Sequence, residues 1–212
     1  MPNIIPIKSP AWWKKLMPKR RWNFSDTEQS IYLTFDDGPI PEVTPWVLDC
    51  LKEYQAKATF FCIGNNIEKH PELFSRIIEE GHSVGNHTQN HLNAWKTKTE
   101  LYLTNIQYAQ ETFYHHKSFT KLFRPPYGRL KRKQEEVLLA KGFDIIMWSV
   151  LSKDYNQKVT PEQCLKNIVE NLVSGDIVVM HDSKKAQKNL MYSLPKMLEH
   201  FSKEGYVFKK IS

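Results

Sequence analysis

The sequence predicts an α/β fold, a parallel sheet or barrel assembled from βα units within one domain. From Ile31 onward, short β-branched or aromatic runs alternate with longer segments of helical period. Proline clusters, first Pro39, Pro41 and Pro45 and later Pro125 and Pro126, follow directly on predicted strands and mark shaped loops. The 212 residues fit one such domain and are enough to bury a sizeable core.

The elements follow in order. Strand 31–35 is an apolar run that stops at two acids, and helix 43–54 comes after it. Strand 58–63 leads to helix 71–80, opened by His70-Pro71. A short strand near 83–85 precedes helix 96–115, and strand 121–124 precedes helix 132–141. The apolar run 143–150 reads as one strand, followed by helix 161–173, where Thr160 caps and Pro161 occupies the first turn. Strand 177–180 leads to helix 189–203, and 206–209 supplies a last strand.

Composition is that of a folded globular protein, with 41% hydrophobic, 25% charged and 12% aromatic residues. The formal charge of +7 invites a nucleic-acid or anionic-surface reading, but the first thirty residues hold six Lys or Arg against two acids and account for most of it. No nucleic-acid partner is expected. Residues 1–30 form a basic segment bearing Trp12, Trp13 and Trp22 beside Lys14, Lys15, Lys19, Arg20 and Arg21. It suits either contact with a membrane surface or anionic polymer, or packing of its aromatics onto the domain with the cations left in water; the second is preferred. Residues 31–212 are the expected catalytic domain. Lys8, Pro10 and Lys14 interrupt any apolar stretch of the length a signal peptide or membrane span needs, so the expectation is an internal protein or an exported one whose leader is missing here. Cys50, Cys62 and Cys164 are odd in number and far apart, which excludes a disulfide framework and reads as three buried small hydrophobes.

Five segments carry chemistry. Thr34-Phe35-Asp36-Asp37-Gly38-Pro39 puts adjacent carboxylates at a strand end, where they point apart and suit separate tasks, metal binding and proton handling; the alternative is a capped Asp-Gly turn. Asn86-His87-Thr88-Gln89-Asn90-His91 sets two imidazoles four residues apart, on one face if the segment is helical. With Asp37 they make a His₂Asp facial set with open positions, the pattern of a catalytic metal site. Arg124-Pro125-Pro126-Tyr127-Gly128 offers a cation to orient a carboxylate and a stiff turn to fix the following N–H groups, or is an ordinary proline turn with a solvated arginine. The run from Met147 to Tyr155, with Trp148 and Asp154, says little alone. The strand from Gly175 to Met180 ends in His181, either a satisfied core histidine or a third strand end with a titratable group in one shared pocket. His82, His115, His116 and His200 lack such company and read as structural or solvent-facing.

In this order and spacing, T-F-D-D-G-P, H-T-x-x-H, R-P-P-Y-G and M-H-D resemble the polysaccharide deacetylases of carbohydrate esterase family four, the NodB-homology domain, from about Ile31 to the C-terminus. The resemblance implies a single-domain, distorted, incomplete (β/α) barrel. It implies that Asp37, His87 and His91 hold one divalent ion, zinc or else cobalt or nickel. Asp36 would be the general base, held by Arg124. The Tyr127 N–H would stabilise the oxyanion, His181 would protonate the departing amine, and Asp154 would tune either Arg124 or His181. Pro126, Tyr127, Trp148, Tyr155 and Val179 are the expected substrate-binding positions, with Val179 where the family has a Leu lining the acetyl-methyl pocket. The chain departs from the family at D-x-x-D-W, where it reads Leu151-Ser152-Lys153-Asp154-Tyr155. The first acid is lost and a tyrosine replaces the tryptophan.

The resemblance therefore implies a metal-dependent hydrolase that removes N-acetyl groups from N-acetylglucosamine-containing polymers or oligomers such as peptidoglycan or chitin-like chains; the sequence leaves the oligomeric state open, with a monomer favoured. Its rivals are an O-acetyl xylan esterase or another metal-dependent hydrolase, which metal stoichiometry would help separate, and a non-catalytic carbohydrate-binding member of the fold. The last is disfavoured because binding alone needs neither base nor acid.

Overall fold

The computed structural model describes residues 5–25 and 28–212. Among them one parallel sheet contains β1 (Ser30–Asp36), β2 (Thr59–Cys62), β3 (Ser83–Asn86), β4 (Leu122–Phe123), β5 (Asp144–Ile145), β6 (Val150–Leu151), β7 (Ile177–His181) and β8 (Val207–Lys209). The order is β5-β4-β3-β2-β1-β7-β6, with β8 beside the first half of β1. The sheet curls into a half-barrel with helices around it: α1 (Ala11–Leu16), α2 (Thr44–Glu53), α3 (Gly64–Lys69), α4 (Pro71–Glu79), α5 (Thr99–His115), α6 (Arg132–Ala140), α7 (Pro161–Val169) and α8 (Gln187–Lys203). No helix among the described residues is long and apolar enough to cross a membrane.

β1 is buried at every position because it lies mid-sheet, and its period-2 alternation sorts two environments. Ile31, Leu33 and Phe35 share a core with Val47, Leu48 and Leu51 of α2 and with Leu194, Met197 and Leu198 of α8. Tyr32 belongs to a second core that includes Phe61, Phe123, Trp148 and Val179. Thr34 and Asp36 share its face and carry that side of the strand to its polar end. Thr160 caps α7 by accepting the Gln163 N–H at 3.2 Å. The three cysteines are buried and free.

The run 143–150 is not one strand. β5 pairs with β4 while β6 pairs with β7, so the chain bends across from one limb of the sheet to the other. Residues of the N-terminal segment fill the edges that the bend leaves open. The Ser9 N–H donates to Ser149 O at 2.7 Å and the Leu151 N–H to Ile7 O at 2.9 Å. The Arg21 N–H donates to Ile145 O at 2.8 Å, the Met147 N–H to Arg21 O at 2.7 Å, and the Phe24 N–H to Gly175 O at 2.8 Å. Of the segment 1–30 set apart in the sequence, residues 1–4 and 26–27 lie outside the described residues.

Helix boundaries shift where side chains compete for the backbone. The helix expected from residue 96 begins at Thr99, because Asn93 holds the preceding turn: its Oδ1 accepts the Trp95 N–H at 3.1 Å and its carbonyl accepts the Thr97 hydroxyl at 2.8 Å. α3 has no counterpart in the sequence reading, and α7 stops at Val169 rather than at 173.

Candidate active site

The carboxyl ends of β1, β3, β4 and β7 converge on a cavity of about 380 Å³ whose walls include Asp36, Asp37, His87, His91, Tyr127 and His181. Asp36, the last residue of β1, points to the barrel interior and accepts from Arg124 Nη1 at 2.7 Å through Oδ1. Burial pushes the Asp36 carboxyl up, but the charge and hydrogen bond of Arg124, together with the charge of His181, outweigh it and hold the group below its ordinary value. Arg124 is fully buried, with its guanidinium 4.1 Å from the Phe61 ring centroid. Three of its four remaining N–H groups donate to Thr34 Oγ1 at 2.7 Å, Met147 O at 3.0 Å and Ile146 O at 3.3 Å. These acceptors hold the arginine without the acid missing from the fourth motif; Leu151, at that position, is buried on the cavity wall.

Asp37 parts from Asp36 through the backbone. Its φ of +85° lies in the left-handed region, which few non-glycine residues adopt. Asn66 Nδ2 fixes the turn by donating to Asp37 O at 2.7 Å. Gly38 follows because nothing larger fits: a Cβ there would lie 1.9 Å from Asp182 Oδ2. Asp182 is itself buried, accepting the Gly38 N–H at 3.0 Å and the Thr44 hydroxyl at 2.6 Å, and burial raises its carboxyl to about 8.

The two histidines meet without a helix. The segment from His87 to His91 is a loop, with φ +67° at Thr88 and +54° at His91, and the Thr88 N–H is taken by Asn86 Oδ1 at 2.8 Å. The rings still come within 5.1 Å of each other between centroids. His87 Nδ1 lies 2.7 Å from Arg124 O; a carbonyl only accepts, so Nδ1 carries the proton and Nε2 keeps its lone pair. Burial lowers the His87 pKa to about 4, which keeps the ring neutral.

One ligand atom from each of Asp37, His87 and His91 lies within 4.8 Å of the others. Asp37 Oδ1 is buried with no hydrogen-bond partner, although it stands 3.3 Å from His91 Nε2 and 3.8 Å from His87 Nε2. An orphaned carboxylate oxygen facing two imidazole nitrogens is the donor set a divalent cation satisfies, and these residues fit one. A neutral His87 and a carboxylate are also the protonation states a cation requires.

Opposite them, Asp154 grips His181 twice. Its Oδ1 is 2.8 Å from His181 Nδ1, and its Oδ2 accepts the His181 backbone N–H at 2.7 Å. Ser152 donates to Asp154 Oδ1 at 2.8 Å and the Tyr155 N–H does so at 3.0 Å. Burial pushes the His181 ring down, but the Asp154 charge and hydrogen bond more than reverse it, raising it to about 9. Of the two partners the sequence left open for Asp154, the contact is with His181.

Trp148, Tyr155 and Val179 line the cavity with Tyr127, whose φ of +60° turns the chain after the prolines. Pro126 does not: it is buried behind the wall, and Pro125 lines the cavity instead. The cavity also includes Ile5, Ser183 and Lys185, none of which the sequence singled out. Only their proximity in the chain to the His181 strand end could have flagged Ser183 and Lys185; nothing local flagged Ile5.

A curled parallel sheet whose strand ends unite a carboxylate and two imidazoles with a buried Asp–Arg pair and a His–Asp pair defines a hydrolase equipped for metal-assisted acid–base chemistry. The family model described as polysaccharide deacetylase matches residues 24–146, and the chain belongs to that family. It is 36% identical over 193 residues to a peptidoglycan-N-acetylglucosamine deacetylase of Bacillus cereus, covering 90% of each chain. It is 33% identical over 172 residues to a chitooligosaccharide deacetylase of Azorhizobium caulinodans, covering 80% of this chain and 81% of that one. The crystal structure of the Bc1960 peptidoglycan N-acetylglucosamine deacetylase superposes with a TM-score of 0.87 at 30% identity, over 96% of this chain and 95% of that one. The chain is thus an enzyme of the polysaccharide deacetylase class.

Proposed function

We propose that this enzyme removes N-linked acetyl groups from N-acetylglucosamine units of a peptidoglycan or chitin-like chain, with Asp37, His87 and His91 holding one divalent ion, zinc in the first instance. The observation that carries the reading is the unpaired, buried Asp37 Oδ1 between two imidazole nitrogens, set beside an Asp–Arg pair and opposite a His–Asp pair. When bound, the ion would supply Lewis acidity to the acetyl carbonyl and to the attacking water.

Asp36 is the proposed general base. Arg124 holds its Oδ1, while Oδ2 lies 4.0 Å from His87 Nε2, on the side where the ligand atoms gather, and takes the proton of the attacking water. Its lowered pKa keeps it ionised and ready to accept. The Tyr127 N–H, on the turn bordering the cavity, is the proposed donor to the developing oxyanion. His181, raised to about 9 and held through Nδ1, gives its Nε2 proton to the departing amine, which leaves poorly without it. Trp148, Tyr155, Val179 and Leu151 form the apolar wall for the acetyl methyl and sugar ring, and Trp148 Nε1, buried with no protein partner, is a spare donor for a substrate oxygen.

The test is acetate release by zinc-loaded protein from chitooligosaccharides, peptidoglycan and acetylxylan, alongside Asp36→Asn and metal stoichiometry. Turnover of the amino-sugar substrates, one ion per chain and a loss of about 100-fold or more in Asp36→Asn are expected. Release from none of the three substrates, undiminished activity in Asp36→Asn, or two ions per chain would overturn the reading. Release from acetylxylan alone would replace it with that of an O-acetyl esterase.

A further inference from the structure

The loops that leave β3 and β4 carry a second aromatic feature beyond the cavity. Trp95 is 56% exposed, as Trp12 is at 58%, whereas Trp22 and Trp148 are 4% and 6% exposed. Its position is nonetheless fixed. The Trp95 N–H donates to Asn93 Oδ1 at 3.1 Å, and the neighbouring Ala94 is buried with its carbonyl 3.4 Å from Gln134 Nε2. Lys131 Nζ ties down the far end of the same turn by donating to Thr97 O at 2.7 Å.

Arg129 stands with its guanidinium carbon 4.7 Å from the Trp95 ring centroid, so one part of the indole rests on a cation while more than half of the residue faces solvent. Arg129 is two residues beyond Tyr127, a separation of at most about 7 Å along the backbone. Tyr127 is 51% exposed, lines the cavity and has its ring 4.7 Å from His91. His91, Tyr127, Arg129 and Trp95 therefore form a chain of neighbours that starts at a candidate metal ligand.

We propose that Trp95, braced by Arg129, is a stacking subsite for a sugar ring of the substrate chain next to the ring that loses its acetyl group; this rests on the polysaccharide reading above. A pyranose presents apolar C–H faces edged with hydroxyls. A preorganised aromatic face beside a multi-donor guanidinium matches both features, and the rigid turn reduces the ordering cost of binding. A monomeric substrate confined to the cavity would not reach it, so the subsite makes the enzyme selective for chain length.

Kinetics on the N-acetylglucosamine disaccharide and tetrasaccharide test this with zinc-loaded parent, Trp95→Ala and Trp95→Phe. The parent is expected to prefer the tetrasaccharide, and Trp95→Ala to raise KM for it about tenfold, with a smaller effect on kcat and loss of most of the preference. Trp95→Phe keeps an aromatic face and should stay closer to the parent. An unchanged tetrasaccharide KM in Trp95→Ala overturns the subsite. Calorimetric binding of the tetrasaccharide separates the two readings. If the parent releases no acetate, the deacetylase reading fails, yet binding weakened about tenfold by Trp95→Ala still supports the subsite. Binding that is absent in the parent, or equal in parent and variant, overturns it.

Discussion

Replacing Asp154 by asparagine removes one charge and nearly preserves shape. In the parent, burial disfavours the charged His181 ring, and the Asp154 carboxylate, 2.8 Å from Nδ1, more than compensates and raises the pKa from 6.5 to about 9. The variant keeps the burial and loses its largest opponent, with the Asp37 and Asp36 charges still favouring the proton, so the pKa falls back toward its ordinary 6.5. A full return to that value corresponds to ~3 kcal/mol less preference for the protonated ring. With His181 in its proposed role as acid, the active form is present below its pKa and lost as pH rises through it. The alkaline limb of kcat/KM should lie near pH 9 in the parent and move down toward pH 6.5 in Asp154→Asn. At about pH 7.5 nearly every parent molecule carries the proton but only about a tenth of the variant does, so kcat/KM falls about tenfold from protonation alone. Acetate release from the tetrasaccharide between about pH 5 and 10 measures this. An alkaline limb at the same pH in both proteins would refute the coupling of His181 to Asp154 and its role as the acid.

Two further substitutions probe the groups around the ligands. Arg124→Met leaves Asp36 buried beside Thr34 with no cation, and breaking a buried pair in this way should cost about 3–5 kcal/mol in denaturant unfolding, together with most of the activity; a loss below about 1 kcal/mol would show that the pair is not what stabilises the carboxylate. Gly38→Ala drives a methyl to within 1.9 Å of Asp182 Oδ2, so the loop bearing Asp37 must shift. Stability should fall by about 1–3 kcal/mol and zinc affinity, measured by calorimetry, should weaken with it; parent-like values of both would refute the close-approach argument.

Much of the fold was legible because burial leaves a pattern. β1 and β7 lie mid-sheet and read as continuous apolar runs, and α4 and α7 begin at the prolines that open them. The run 143–150 misled for the same reason: it is apolar throughout, and nothing within it records that its halves serve different neighbours. α3 opens with Gly64-Asn65-Asn66, poor helix formers, and is anchored instead by tertiary contacts such as the Gly64 N–H on Thr88 O at 3.0 Å. At the site, residue spacing named His87 and His91 but misjudged how they meet, since two left-handed φ angles rather than a helical turn bring the rings together. The replacement of the motif's first acid by Leu151 was visible in the sequence. That carbonyls of Ile146 and Met147 would serve Arg124 in its place was not, because backbone acceptors have no sequence signature.

The N-terminal strap also sets an order of events during folding. Its bonds join Ser9 to Ser149, Arg21 to Ile145 and Phe24 to Gly175, partners separated by more than a hundred residues. Such contacts close long loops and form late, and on a ribosome the strap emerges well before the surfaces it seals exist. Until residues 145–175 have been made, the core that Trp13, Trp22 and Phe24 enter lacks Ile145, Met147, Trp148 and Leu151. The strap, made before the rest of the domain, is therefore seated among the last, and because Ile5 belongs to it, the cavity wall is completed only when the strap is in place.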